Sequence, residues 1–158
     1  MYLQFQQKDS NGLAVFLLQK RDVMTSYNFD FSLRYYPAYQ GYQGSRSGAS
    51  IFRPAVNESR IYSNLSDFYY QEGPVCSQIT LKYYNSTNKE SGVAKARVYS
   101  DSKIVEWVIT IDEIPISYVG KEVTTNFGLR NIDNSEIFFT DTNGLEMQER
   151  QLNYRPTW

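Results

Sequence analysis

The clearest signal in the chain is an alternation of apolar and polar positions. Phe29, Phe31, Leu33 and Tyr35 alternate with Asp30, Ser32 and Arg34, which predicts a strand with one face buried. Ile79, Leu81 and Tyr83 alternate with Gln78, Thr80 and Lys82, and Val105, Trp107, Ile109 and Ile111 form another such row with Glu106 and Thr110 opposite. Leu3 and Phe5 lead into Asp9-Ser10-Asn11-Gly12, and the apolar run Leu13 to Leu18 returns, which is a hairpin. A second hairpin closes the chain. Ile137, Phe138 and Phe139 precede Asp141-Thr142-Asn143-Gly144, where Asn and Gly tolerate the positive φ of a tight turn. Leu145 and Met147 then alternate with Glu146 and Gln148 as a half-buried return strand that Pro156 ends. The stretch from Pro37 to Ser47, rich in Gly, Tyr, Gln and Ser, is a loop. No window sustains a helical period with caps. The expected fold is all-β, and many short, turn-punctuated strands predict an antiparallel sandwich or a barrel.

Length and charge narrow the functional classes. A chain of 158 residues is one domain's worth and long enough for a core. A net charge of −1 supplies no field to gather nucleic acid or an anionic membrane. No run approaches the roughly 18 apolar residues of a membrane span, and Leu13 to Leu18 lacks the length and flanks of a signal peptide. Cys76 is the one cysteine, so no intrachain disulfide can form. A small buried apolar side chain is its ordinary role. The complete lack of histidine excludes Ser-His-Asp and Cys-His catalysis and removes the commonest metal ligand.

Two motifs carry a resemblance. Phe138-Phe139-Thr140-Asp141-Thr142-Asn143-Gly144-Leu145-Glu146-Met147-Gln148-Glu149-Arg150, followed by Tyr154-Arg155-Pro156-Thr157-Trp158, resembles the C-terminal β-region of glycoside hydrolase family 38, the lysosomal-type α-mannosidases. Ser47-Gly48-Ala49-Ser50-Ile51-Phe52-Arg53-Pro54 is similar to that family's Ser-Gly-Ala-Tyr-Ile-Phe-Arg-Pro. Weaker echoes follow in the family's order at Cys76-Ser77-Gln78, Glu106-Trp107, Ile114-Pro115-Ile116 and Gly120-Lys121-Glu122-Val123.

The resemblance implies a partial C-terminal β-sandwich domain over residues 1–158, part of a larger sandwich similar to galactose mutarotase. It implies a parent α-mannosidase that removes terminal α-mannosyl units from glycans with retention, in a lysosome or a secretory or extracellular lumen. In that family an Asp nucleophile, an Asp acid/base and a zinc ion held by His and Asp lie upstream, in the catalytic barrel and helical region. No residue here aligns with them. The chain is accordingly expected to be a fragment, with Met1 not the true start and the family continuing beyond Trp158. Its partners are then mannose-containing glycans and the rest of the parent chain, with no nucleic acid and no membrane. The rival reading is a non-catalytic carbohydrate-binding or structural sandwich, or a degenerate family member.

Candidate site residues follow from both lines. The family's Tyr in the Ser-Gly-Ala-Tyr motif reaches the mannose site, and Ser50 stands there; a hydroxymethyl group has neither the ring face nor the reach of a phenol. Gly48 and Pro54 keep the family's letters, with turn geometry as their simplest role. Among 14 tyrosines, Tyr35, Tyr36, Tyr39 and Tyr42 lie nearest the Ser50 motif. That cluster is the candidate for sugar contact, Tyr39 and Tyr42 foremost, with packing as the alternative; Tyr69-Tyr70 and Tyr83-Tyr84 read as strand residues. A local carboxylate pair is disfavoured. Asp112 and Glu113 are adjacent and on a strand would point to opposite faces, Asp141 is a turn former, and Glu146 and Glu149 belong to a solvated face. Asn57-Glu58-Ser59, Asn64-Leu65-Ser66 and Asn85-Ser86-Thr87 fit the N-glycosylation pattern.

Overall fold

The computed structural model describes residues 2–8, 14–19, 26–41, 47–48, 51–102, 104–115, 117–129, 135–141 and 144–154, with side chains from residue 30 onward, Leu129 excepted. Eleven strands are described: β1 (Tyr2–Lys8), β2 (Ala14–Gln19), β3 (Ser26–Pro37), β4 (Arg60–Ile61), β5 (Asn64–Gln71), β6 (Cys76–Tyr84), β7 (Glu90–Tyr99), β8 (Val105–Ile111), β9 (Lys121–Leu129), β10 (Ile137–Asp141) and β11 (Met147–Gln151). No helix occurs among these residues. All the pairings are antiparallel, so the all-β expectation holds.

Strand β3 is the axis of the first sheet. One edge pairs with β2 and then with β4, and the other carries β9 through nine residue pairs, Phe29↔Leu129 to Pro37↔Lys121. The second sheet is the meander β5-β6-β7-β8. The chain crosses to it from β4 through Tyr62 and Ser63, and the Tyr62 amide bonds the Leu33 carbonyl at 3.0 Å.

The sandwich core forms where β3 lies over β7. Register aligns Tyr83, Gly92 and Ile111 across β6, β7 and β8, then Leu81, Ala94 and Ile109, then Ile79, Ala96 and Trp107. The middle row is small and its flanks are large, which leaves a furrow along β7. Phe31 and Leu33, both fully buried, fill it. The fit at Gly92 is tight: a Cβ there would stand 3.1 Å from Leu33 Cδ1 and 3.0 Å from the Thr110 carbonyl oxygen. Phe31 stacks on Trp107 (centroids 5.0 Å apart, planes at 23°) and meets the Tyr83 ring edge-on at 5.9 Å and 71°. Fully burying side chains of this size contributes about 1.5–3 kcal/mol each. Ser91 is the extra residue of a β-bulge between Tyr83↔Gly92 and Tyr84↔Glu90, and its hydroxyl donates to the Tyr83 carbonyl at 3.2 Å.

The rows read from sequence at Phe31–Leu33, Ile79–Tyr83 and Val105–Ile111 occupy this interface. Three expectations need correction. Leu145 and Met147 are exposed, because the β10-β11 hairpin forms a two-stranded sheet of its own. Asp112 and Glu113 lie beyond the end of β8, both exposed, where the Asp112 amide bonds the Ser91 carbonyl. Cys76 is half-buried where β6 opens, since its partner Tyr99 ends β7 at the margin of the sheet. Asp141 does form its turn, accepting the Gly144 amide on both carboxylate oxygens at 2.9 and 2.8 Å, and Gly144 adopts a φ of 74°. The turn positions Asn11, Gly12, Thr142 and Asn143, and Pro156, lie outside the described residues.

Candidate functional site: a cleft where three segments meet

At Pro37 the chain leaves β3, since proline offers no amide to continue the ladder. Three segments then tie together. The Ala38 amide bonds the Gly120 carbonyl at 2.8 Å, the Tyr39 amide bonds the Arg53 carbonyl at 3.0 Å, and the Ala55 amide bonds the Pro37 carbonyl at 2.8 Å. Ala38 and Pro54 form a bridge, and so do Gly48 and Ile51. The last pair exchanges both backbone bonds, at 3.1 and 3.2 Å. The Ser47 hydroxyl donates to the Arg53 carbonyl. Outside this frame, Arg34 clamps the preceding loop to β3 by bonding the Ser59 hydroxyl and carbonyl, each at 2.6 Å.

The frame encloses a cleft of about 250 Å3. Its walls are Tyr36, Pro37 and Ala38 at the end of β3, Ser47, Gly48, Phe52 and Pro54 of the loop, and Gly120, Lys121 and Glu122 where β9 begins. Tyr36 and Phe52 meet edge-on, with centroids 5.2 Å apart and planes at 85°. Phe52 is 58% exposed, so its ring face is open to a bound group. A phenol, two aromatic faces and the Glu122 carboxylate line the cleft, with Lys121 beside them and its Nζ 5.9 Å from the Tyr35 ring. That set can bond hydroxyls while pressing a ring against the apolar faces of a sugar. The volume lies below the roughly 300–1,000 Å3 of drug-sized pockets, which suits a single ring.

The candidates read from sequence fall unevenly around this cleft. Ser50 and Tyr42 lie outside the described residues. Tyr39 is not among the lining residues; the Arg53 guanidinium sits over its ring at 4.3 Å, and a Cβ on Gly41 would run into the same ring. Tyr35 packs edge-on with Tyr62 at 6.3 Å and has Lys121 Nζ at 5.9 Å. Gly48 and Pro54 line the cleft, but Gly48 does not owe its identity to a left-handed φ, and a Cβ there would meet no described atom within 4 Å. Lys121 and Glu122 went unrecognised as candidates. The only signal for them was their place in the Gly120–Val123 echo.

Asn57 is exposed in a bend, Asn64 is exposed where β5 begins, and Asn85 is half-buried in the β6–β7 turn. For zinc there is no fit here. The sequence has no histidine, and no group of three His, Cys, Asp or Glu side chains comes together among the described residues. Titration is perturbed elsewhere. Burial, and secondarily Asp112, raises the Tyr62 phenol, and burial alone raises that of Tyr83.

Comparison with known proteins adds to this geometry. The family model for the glycosyl hydrolases family 38 C-terminal domain matches residues 1–158. Lysosomal alpha-mannosidase of Bos taurus is 33% identical over 113 residues, covering 71% of this chain and 11% of that protein. Lysosomal alpha-mannosidase of Dictyostelium discoideum is 28% identical over 160 residues, covering 99% of this chain and 15% of that protein. Alpha-mannosidase E of the same organism is 28% identical over 130 residues, covering 75% and 12%. The chain therefore spans about an eighth of the length of the relatives it matches.

Proposed function

Because this chain belongs to the family of the glycosyl hydrolases family 38 C-terminal domain, we propose that it serves as the accessory β-domain of an α-mannosidase and forms part of its substrate wall. The observation that carries the second half of the proposal is the cleft itself. Ser47 and Gly48 of the family's motif, the end of β3 and the start of β9 all line it, although β9 begins 84 positions after β3 ends (37 to 121). In this reading Tyr36 and Phe52 flank the apolar faces of a terminal mannose, and Glu122 and the Tyr36 hydroxyl bond its hydroxyls. The cleavage of α-mannosidic bonds with retention, and the zinc ion, belong to other parts of the parent chain. The lysosomal relatives favour a lysosomal or other lumenal residence.

The test is steady-state kinetics of the full-length enzyme on a terminal α-mannoside. Glu122→Gln and Tyr36→Phe each remove or neutralise one sugar-bonding group, and a bond to a charged group contributes about 1.5–3 kcal/mol. Glu122→Gln should lower kcat/KM by roughly ten- to a hundred-fold, and Tyr36→Phe by two- to ten-fold. Ser50→Tyr restores the family's phenol and should raise kcat/KM roughly two- to ten-fold, worth one neutral hydrogen bond. If Tyr39 or Tyr42 has taken over that contact, Ser50→Tyr lowers activity, and Tyr39→Phe or Tyr42→Phe lowers it as well. Unchanged rates in all five variants would remove the segment from the substrate wall and leave it a structural role.

A further inference from the structure

The three glycosylation triplets sit in different settings, and one of them is held in a form suited to modification. Residues Asn85 to Lys89 form the loop between β6 and β7. The Asn85 amide bonds the Lys89 carbonyl at 2.9 Å, the Asn88 amide bonds the Asn85 carbonyl at 3.0 Å, and Asn88 takes a φ of 59°. This is a three-residue hairpin loop, a type I turn followed by a left-handed residue. Its stem is braced on the outer face by Lys82, whose Nζ lies 3.3 Å from Glu90 Oε2, and by the Tyr84 hydroxyl, 3.4 Å from the same oxygen.

The Asn85 side chain is the hub of the loop. Its Oδ1 accepts from the Thr87 amide at 3.0 Å, the Thr87 hydroxyl at 2.7 Å and the Lys89 amide at 3.0 Å. All of these bonds fall on the carbonyl oxygen. Among the described residues Nδ2 has no partner, and the loop residues that follow, Ser86 to Lys89, are exposed. The triplet's hydroxyl is therefore already against the amide it accompanies, while the nitrogen that would carry a sugar takes no part in the turn. A substituent on Nδ2 leaves every one of these bonds intact.

The other two triplets lack this arrangement. At Asn57 the hydroxyl of Ser59 is turned away to the Arg34 guanidinium. Asn64 is laddered opposite Tyr84, and Ser66 is the extra residue of the bulge between Leu65 and Asp67. We propose that Asn85 is an N-glycosylation site of this protein, with the β6–β7 loop as a preformed acceptor that keeps its conformation once modified.

The co-reactant is an oligosaccharide carried on a lipid diphosphate. Asn85 Nδ2 bonds to the anomeric carbon, the anomeric C–O bond breaks, the diphosphate leaves with the electron pair, and the amide gives up one proton. The proposal rests on the lumenal residence argued above.

The test is peptide mapping of the full-length protein secreted from cultured eukaryotic cells. Deglycosylation by an amidase in heavy-oxygen water converts each occupied Asn to a labelled Asp. Label is expected at Asn85. Thr87→Val and Asn85→Asp should each remove one glycan's worth of gel mobility, and Thr87→Ser should keep it. Asn85→Asp retains the Oδ1 acceptor, so its loss of glycan cannot be assigned to a broken turn. Label at Asn57 or Asn64 with none at Asn85 overturns the proposal while leaving lumenal residence standing. No label at any of the three, with unchanged mobility, overturns it together with that residence. Mannosidase activity assayed on the same preparation reports separately on the parent enzyme.

Discussion

Replacing Tyr83 by Phe should stabilise the protein. The Tyr83 side chain is wholly buried, and its hydroxyl has no hydrogen-bond partner among the described residues. A buried polar group left without a partner costs about 1–3 kcal/mol. The ring does the packing, meeting Phe31 edge-on at 5.9 Å, and phenylalanine keeps that contact. Removing the oxygen opens a void of roughly 10 Å3, a penalty of about 0.2 kcal/mol at the usual cavity coefficient. The net gain expected is about 1–2 kcal/mol, or roughly 2–8 °C in Tm for a chain of this size. Urea unfolding at low protein concentration, followed through Trp107 fluorescence, measures it directly, because Trp107 stacks on Phe31 at the centre of the same core.

The pH dependence supplies an internal control. Burial raises the Tyr83 phenol above its ordinary value of 10.0. Below about pH 10 both folded and unfolded states keep the proton. Above it the unfolded chain ionises while the folded one does not, so the folded state binds more protons and stability falls as pH rises. The fall approaches about 1.4 kcal/mol per pH unit. Tyr83→Phe should remove most of this alkaline loss, with a smaller part remaining from Tyr62, also raised by burial. A variant that is less stable than the parent, or that keeps the full alkaline loss, would refute the reasoning and mean that the hydroxyl has a partner such as a buried water.

Other consequences of the packing are equally open to measurement. Gly92→Ala should cost about 1–3 kcal/mol in the same unfolding assay, because its Cβ would press on Leu33 and the Thr110 carbonyl at 3.0–3.1 Å; an unchanged midpoint would show that the furrow has slack. Phe68 and Tyr70 pair with the buried Leu81 and Ile79 but remain 48% and 51% exposed on edge strand β5. The chain should therefore self-associate as its concentration rises. Phe68→Lys with Tyr70→Lys should suppress this in light scattering without lowering the free energy of unfolding by more than about 1 kcal/mol. The isolated chain should neither retain stoichiometric zinc after dialysis nor turn over an aryl mannoside, since the sequence has no histidine, no group of three potential ligands comes together among the described residues, and no residue aligns with the family's nucleophile. Either result, read by metal analysis or by chromogenic assay, would reverse that expectation.

How far the sequence revealed this structure depended on side-chain size. Strands β3, β6 and β8 advertised themselves because their buried rows are made of Phe, Leu, Ile, Tyr and Trp. Strand β7 lies at the centre of the second sheet and left no comparable mark. Its inner row of Gly92, Ala94 and Ala96 is small because Phe31 and Leu33 must fit above it, and smallness reads as weak hydropathy. Strand β9 was hidden for a related reason: opposite Tyr35, Leu33 and Phe31 it offers Val123, Thr125 and Phe127, a row that is only partly apolar. At the cleft, the Ser47–Pro54 motif and the Gly120–Val123 echo were visible as separate strings. That they face one another follows from β3 pairing with β9 and bridging to Pro54, which no local pattern encodes. The exposure of Leu145 and Met147 shows the opposite limit, since alternation marks a face without saying that anything covers it.

The pairing of β3 with β9 also sets a timetable. Its partners are separated by between 84 positions (37 to 121) and 100 positions (29 to 129), with the whole β5-β6-β7-β8 meander emerging between them. At roughly 5–20 residues per second of synthesis, about 4–17 seconds pass after Pro37 is made before Lys121 exists. For that interval one side of β3 is an unpaired edge of the nascent chain. The meander needs only neighbouring strands and can form early, whereas closure of the first sheet must wait and then bears the entropy of a long loop. A chaperone, or a pause in translation before β9, would act on that open edge, and a premature stop between residues 111 and 121 would leave it open for good.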